Sequence, residues 1–339
     1  MPLQPLLDVK IAKALILAGR TDLDRPWPSI RSGPKHLVPV ANRPILFHHL
    51  ETLRNAGMLE AMIAVEPKIA RLISAAVGNG SDWNLAVRYV EWMPATGISG
   101  ALTAARDFLA DEPVLVRPAD ALHRELIHSH IAEFADERLD AMALRLSGAP
   151  NDRLGKPVPG GYLFSRRAVS LLLDRPLLCG DPVAGVRRNG GQVLVRELDG
   201  CLPCHGDQDA LLEANRRMLT GLDGDADPEA FPTCEFQGPV IVHPSARLDQ
   251  TLVRGPAIIG PGARLAHAYV GPYTSIGANV TIEGSQIENS IVLDDAELLH
   301  VGTRLETSVI GRGARITRSF GVPTAMRLSI GDGAEVTVT

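Results

Sequence analysis

Aromatic residues make up only 4% of this 339-residue chain, and it holds four cysteines. So few cysteines in so long a chain exclude a disulfide scaffold, and Cys179 and Cys234, which have no local partner, read as buried thiols. Long apolar runs are also missing: no window approaches the ~18 uncharged apolar residues of a membrane helix, so no membrane partner is expected. Neither sign of charge dominates. The 34 Lys and Arg stand against 39 Asp and Glu, a net charge of -5 with no run of like charges. That balance leaves no basic footprint for a phosphate backbone, and nucleic acid is not an expected ligand. Met1 to Lys10 has neither the basic start nor the apolar core of a secretory signal, which points to the cytoplasm. The run Cys201-Leu202-Pro203-Cys204-His205 spells a c-type haem attachment site. Attachment belongs to an oxidising compartment, so haem is not expected, and a zinc site would need more ligands than this pair supplies.

What is present reads as two architectures. From Lys13 onward, short apolar runs alternate with segments of helical period. Ala14 to Ala18, Ala61 to Val65, Val87 to Val90 and Pro113 to Arg117 read as strands. Pro44 to Ala56, stopped by Gly57, reads as a helix, as do Pro67 to Val77 and Ser99 to Leu109. Repeated β-α-β of this kind predicts an α/β domain with a mainly parallel sheet and a ligand crevice at the carboxyl ends of its strands, after Ala18 and around Asp120. His48, His49, His128 and His130 read as surface or packing residues, because their spacing does not join them in a shared metal site.

The acidic, Pro- and Gly-broken stretch 223–238 reads as a linker after a domain of residues 1–222. Beyond it, over 239–339, apolar residues recur about every six positions, followed by Gly and small residues: Ile258-Ile259-Gly260-Pro261-Gly262-Ala263, Ser275-Ile276-Gly277-Ala278-Asn279, Val309-Ile310-Gly311-Arg312-Gly313-Ala314. This is the pattern of a hexapeptide parallel β-helix, in which stacked coils bury one aliphatic column per face. A β-helix has open ends. With the less regular apolar stretch Ile287, Ile291, Val292 and Leu293, that predicts a homo-oligomer joined partly through this domain.

The motifs themselves resemble those of a known family. Lys13 to Gly19 resembles the opening strand of the sugar-1-phosphate nucleotidyltransferases, and Pro34-Lys35-His36-Leu37-Val38-Pro39-Val40-Ala41-Asn42-Arg43-Pro44 resembles their PK-x-L-x-P-V-x-N-x-P signature. Ala210 to Arg216 resembles the helix that closes their catalytic domain. The tail, including Val270 to Gly277, is similar to that of the long form of the glucose-1-phosphate thymidylyltransferases. The resemblance implies a Rossmann-like nucleotidyltransferase domain followed by a left-handed β-helix, and transfer of a nucleotidyl group from a nucleoside triphosphate to a sugar or cyclitol phosphate, assisted by Mg²⁺. It assigns Lys35 to the phosphates and Asp120 to the metal, with Gly19, Trp92, Gly97 and Lys156 around the substrates.

Other positions depart from the family pattern. The Gly-rich first loop is replaced by Gly19-Arg20-Thr21-Asp22-Leu23-Asp24-Arg25-Pro26, with a single glycine. Asp22 and Asp24 stand near the family's catalytic Arg, leaving Arg25 or Arg20 as its substitute and predicting weak triphosphate binding. Trp92 occupies the place of a Gln that reads the base, and Cys204 that of a second metal-binding Asp. An altered substrate is therefore expected, the alternative being an inactive family member that serves as a binding or partner subunit.

Overall fold

The computed structural model describes residues 11–19, 33–109, 112–123, 127–147, 159–174, 181–201 and 208–318. It divides into two units, the second comprising, among the described residues, 40–42 and 215–318.

The first unit is built on an eight-stranded sheet in the order Ala86–Glu91, Glu60–Val65, Lys13–Ala18, Val114–Pro118, Pro159–Phe164, Ala141–Ser147, Val193–Cys201, Leu122–His123. The first four strands are mutually parallel, whereas Pro159–Phe164 runs antiparallel between its two neighbours, which makes the sheet mixed. Apolar residues on both faces explain the uninterrupted run Ala14 to Ala18. Ile16 and Ala18 enter one core with Leu46, Leu50 and Leu53 of the helix Ile45–Asn55, while Leu15 enters the other with Leu102 and Phe108. A strand covered on both faces cannot afford the polar alternation of a half-exposed one. Each such buried aliphatic contributes ~1.5–3 kcal/mol.

Two helices differ from expectation. The segment Ser99 to Leu109 is two helices, Gly97–Ala104 and Arg106–Leu109, because Ala105 leaves helical geometry at φ -91° and ψ 8°. The helix expected from Pro67 begins at Ala70, after a turn in which Ile69 N-H donates to the Glu66 carbonyl at 3.0 Å. Among the described residues no helix is long and apolar enough to cross a membrane.

The second unit is a left-handed parallel β-helix of three five-stranded sheets. Strands on one face start at Glu235, Leu252, Tyr269 and Gln286, so the first coils take seventeen residues each, and the first one begins inside the segment 223–238. Parallel register stacks like on like: Leu248, Leu265, Ile282, Leu298 and Ile316 form one inward column. Ile287, Ile291, Val292 and Leu293 are all buried, and Ile287 and Val292 belong to this core. The coil pattern continues through this stretch, and none of the four side chains is exposed.

Within the same unit Asn215 is fully buried. Its Oδ1 accepts from Ala41 N-H at 2.8 Å and from the Ser275 hydroxyl at 2.7 Å, and its Nδ2 donates to the Tyr273 carbonyl at 3.0 Å. Asn42 Nδ2 donates to the Ile276 carbonyl at 2.6 Å. The asparagines of two sequence motifs thus meet on one coil, satisfying polar groups that burial would otherwise strand.

Candidate functional site

The carboxyl ends of the first strands are drawn into one edge. Glu66 N-H donates to the Ala18 carbonyl (3.1 Å), Trp92 N-H to Val65 (2.9 Å) and Ala119 N-H to Leu17 (3.0 Å). Gly19, Trp92 and Asp120 therefore project from the same rim of the sheet, where an open α/β sheet presents its ligand crevice.

Lys35 opens a short 3-10 turn, Lys35–Leu37, after the extended Pro34. Its ammonium meets Asp120 Oδ2 at 2.7 Å, with side-chain exposures of 11% and 17%. Two groups far apart in sequence, one expected at the phosphates and one at the metal, are thus brought into contact. Burial is the largest influence and opposes the charge on Asp120, but the Lys35 charge, the Lys35 hydrogen bond, the neighbouring His36 and a backbone hydrogen bond together hold the carboxyl below its ordinary value. The carboxyl is ionised at neutral pH.

Gly19 and Trp92 also come together. A Cβ on Gly19 would lie 2.5 Å from Pro94 Cγ and 3.0 Å from Trp92 Cζ3, so only glycine leaves room for the indole. Trp92 is buried and its Nε1 donates to the Gly97 carbonyl at 3.1 Å. Gly97 has φ +62°, a left-handed conformation that favours glycine at this helix entry. The three form one packed wall. Arg25, Lys156, Asp22, Asp24 and Cys204 lie outside the described residues.

Two basic residues at this rim were not singled out from sequence. His36, next to Lys35, is 1% exposed. Burial, reinforced by the Lys35 charge, lowers its pKa to about 3, so the ring is neutral. Arg117, one residue from the end of Val114–Pro118, is also 1% exposed. Burial lowers its pKa to about 9, which leaves it charged at pH 7. A charge inside the run Val-Leu-Val-Arg was the sequence signal for the second. For His36 there was only its place within the matched motif.

Among the described residues no three His, Cys, Asp or Glu side chains gather to hold a metal. The donor chemistry nonetheless fits Mg²⁺ in its usual mode, in which one or two carboxylates suffice and water and substrate phosphates complete the shell. Asp120 offers such a carboxylate in its anionic form.

A family model described as Nucleotidyl transferase matches residues 13–154. Glucose-1-phosphate thymidylyltransferase of Streptomyces griseus is 32% identical over 357 residues, covering 96% of this chain and 99% of its own length. The low-salt glycan biosynthesis nucleotidyltransferase Agl11 of Haloferax volcanii is 28% identical with the same coverage. A crystal structure from Bacillus anthracis, assigned as a glucose-1-phosphate thymidylyltransferase and solved with sucrose, superposes with a TM-score of 0.53 at 21% identity, covering 63% of this chain and 97% of its own. That likeness speaks for the fold. The near-complete coverage by the Streptomyces griseus relative carries more, and by it the chain belongs to the sugar-1-phosphate nucleotidyltransferase family.

Proposed function

We propose that this protein transfers a nucleotidyl group from a nucleoside triphosphate to a sugar or cyclitol phosphate, as its glucose-1-phosphate thymidylyltransferase relatives are named to do, with a substrate altered from theirs. The observation that carries this reading is the contact of Lys35 with Asp120 at the carboxyl rim of the sheet. A phosphate oxygen of the sugar attacks the α-phosphorus, the bond from that phosphorus to the bridging oxygen breaks, and pyrophosphate leaves. Such a reaction asks the protein for position and charge more than for covalent chemistry.

In this reading Lys35 exchanges its carboxylate partner for phosphate oxygens and neutralises charge growing on them. Asp120 would hold Mg²⁺, which when bound supplies a second positive centre for the phosphates. Cys204, a soft and mostly protonated thiol, would add no ligand to so hard an ion. Gly19, Trp92 and Gly97 would frame the nucleotide, Lys156 the sugar, and Arg25 would stand in for the family's loop arginine. The cytoplasm, where triphosphates are abundant, is the expected compartment, and the expected assembly is a homo-oligomer. The test is a panel of nucleoside triphosphates against sugar and cyclitol phosphates, followed by pyrophosphate release. One productive pair is expected; no release from any pair would overturn the reading.

A further inference from the structure

Arg117 is the charged side chain that the proposed reaction leaves unused. It pairs in register with Ile16 at the centre of the sheet and shares the face of Leu115 and Ala119, in the middle of an apolar core. Among the described residues its guanidinium makes one long hydrogen bond, Nη2 to the Ala121 carbonyl at 3.5 Å, while Nε and Nη1 have no partner there. Ala121 lies beyond the end of the strand and just past Asp120. The head group therefore reaches out of the sheet and under the turn that carries the carboxylate. On the adjacent strand, Gly161 lies alongside it: a Cβ there would be in ordinary contact with Arg117 Cγ at 3.5 Å and tight against the Val116 carbonyl at 3.0 Å.

A buried cation with two idle donors is costly to keep, and burial without an anion is the state in which it destabilises most. Asp120 is already taken by Lys35. Both substrates of the proposed reaction carry phosphate, and a guanidinium fork matches phosphate oxygens. We propose that Arg117 is a second phosphate-holding cation of the site, matched when an anionic substrate binds beside the Asp120 turn. The choice of phosphate as the anion rests on the proposed function.

The test is calorimetric titration of the full-length protein with inorganic pyrophosphate, using wild type, Arg117→Met and Arg117→Lys, with the melting temperature of each without ligand. Arg117→Met should melt no lower than wild type, since an unmatched charge is replaced by an apolar chain of similar length, yet bind pyrophosphate at least tenfold more weakly. Arg117→Lys should bind between the two. If Arg117→Met does not fold, Arg117→Gln is held to the same affinity criterion. Wild-type affinity in the uncharged variant, or no pyrophosphate binding by wild type, would overturn the assignment. The two proposals fail separately: turnover by wild type with unweakened binding in Arg117→Met removes this one alone, and weakened binding without any wild-type turnover removes the other alone.

Discussion

At the scale of single residues, the site is defined by charges held out of water. Lys35 and Asp120 are paired, and in the proposed reaction substrate phosphate takes the place of one partner. Lys35→Met should leave the fold intact and lower kcat/KM by roughly 100-fold, the usual effect of losing one charge-stabilising donor at a transferring group. Steady-state kinetics of pyrophosphate release check this. His36 gives a prediction in pH. Its folded pKa of about 3 lies below the ordinary 6.5, so from pH 6.5 downward the unfolded chain takes up a proton that the folded one refuses. Stability is lost over that window as pH falls, by about 2 kcal/mol at pH 5. Urea denaturation at pH 7 and pH 5 should show this loss in wild type and not in His36→Gln; equal losses would mean that the ring is protonated in the fold.

At the scale of elements, buried columns and polar locks carry the stability. Ile282 sits between Leu265 and Leu298 in the inward stack of the β-helix. Ile282→Ala should cost ~2–5 kcal/mol, the range for a cavity in a packed core. Asn215→Ala should cost ~1–3 kcal/mol by stranding the Ala41 N-H and Tyr273 carbonyl that it satisfies. Denaturant midpoints measure both. The hexapeptide spacing was legible in the sequence because each coil repeats the same inward demand. The strands Ala14 to Ala18 and Ala61 to Val65 were legible because both their faces are covered. The break at Ala105 was not, since the apolar period runs through it without a glycine or proline. Nor was the antiparallel strand Pro159–Phe164, whose direction depends on neighbours distant in sequence.

At the scale of the whole molecule, the resemblance of the motifs to the family led to Lys35 and Asp120, and the fold brings these two together. The resemblance also named Gly19, Trp92 and Gly97, but not the packing of Gly19 against Trp92, because that contact is made in space between the ends of different strands. It passed over Arg117 for a like reason: a charged residue ending an apolar strand usually reaches solvent, whereas this one is covered. The assembly is open to a direct check, since light scattering should give a mass above that of one 36.3 kDa chain. The most direct measurement is pyrophosphate release over a Mg²⁺ titration, for wild type and Asp120→Ala, with the productive substrate pair. Turnover should rise with Mg²⁺ in wild type and be abolished in Asp120→Ala at every concentration; wild-type turnover persisting in Asp120→Ala would place the chemistry elsewhere.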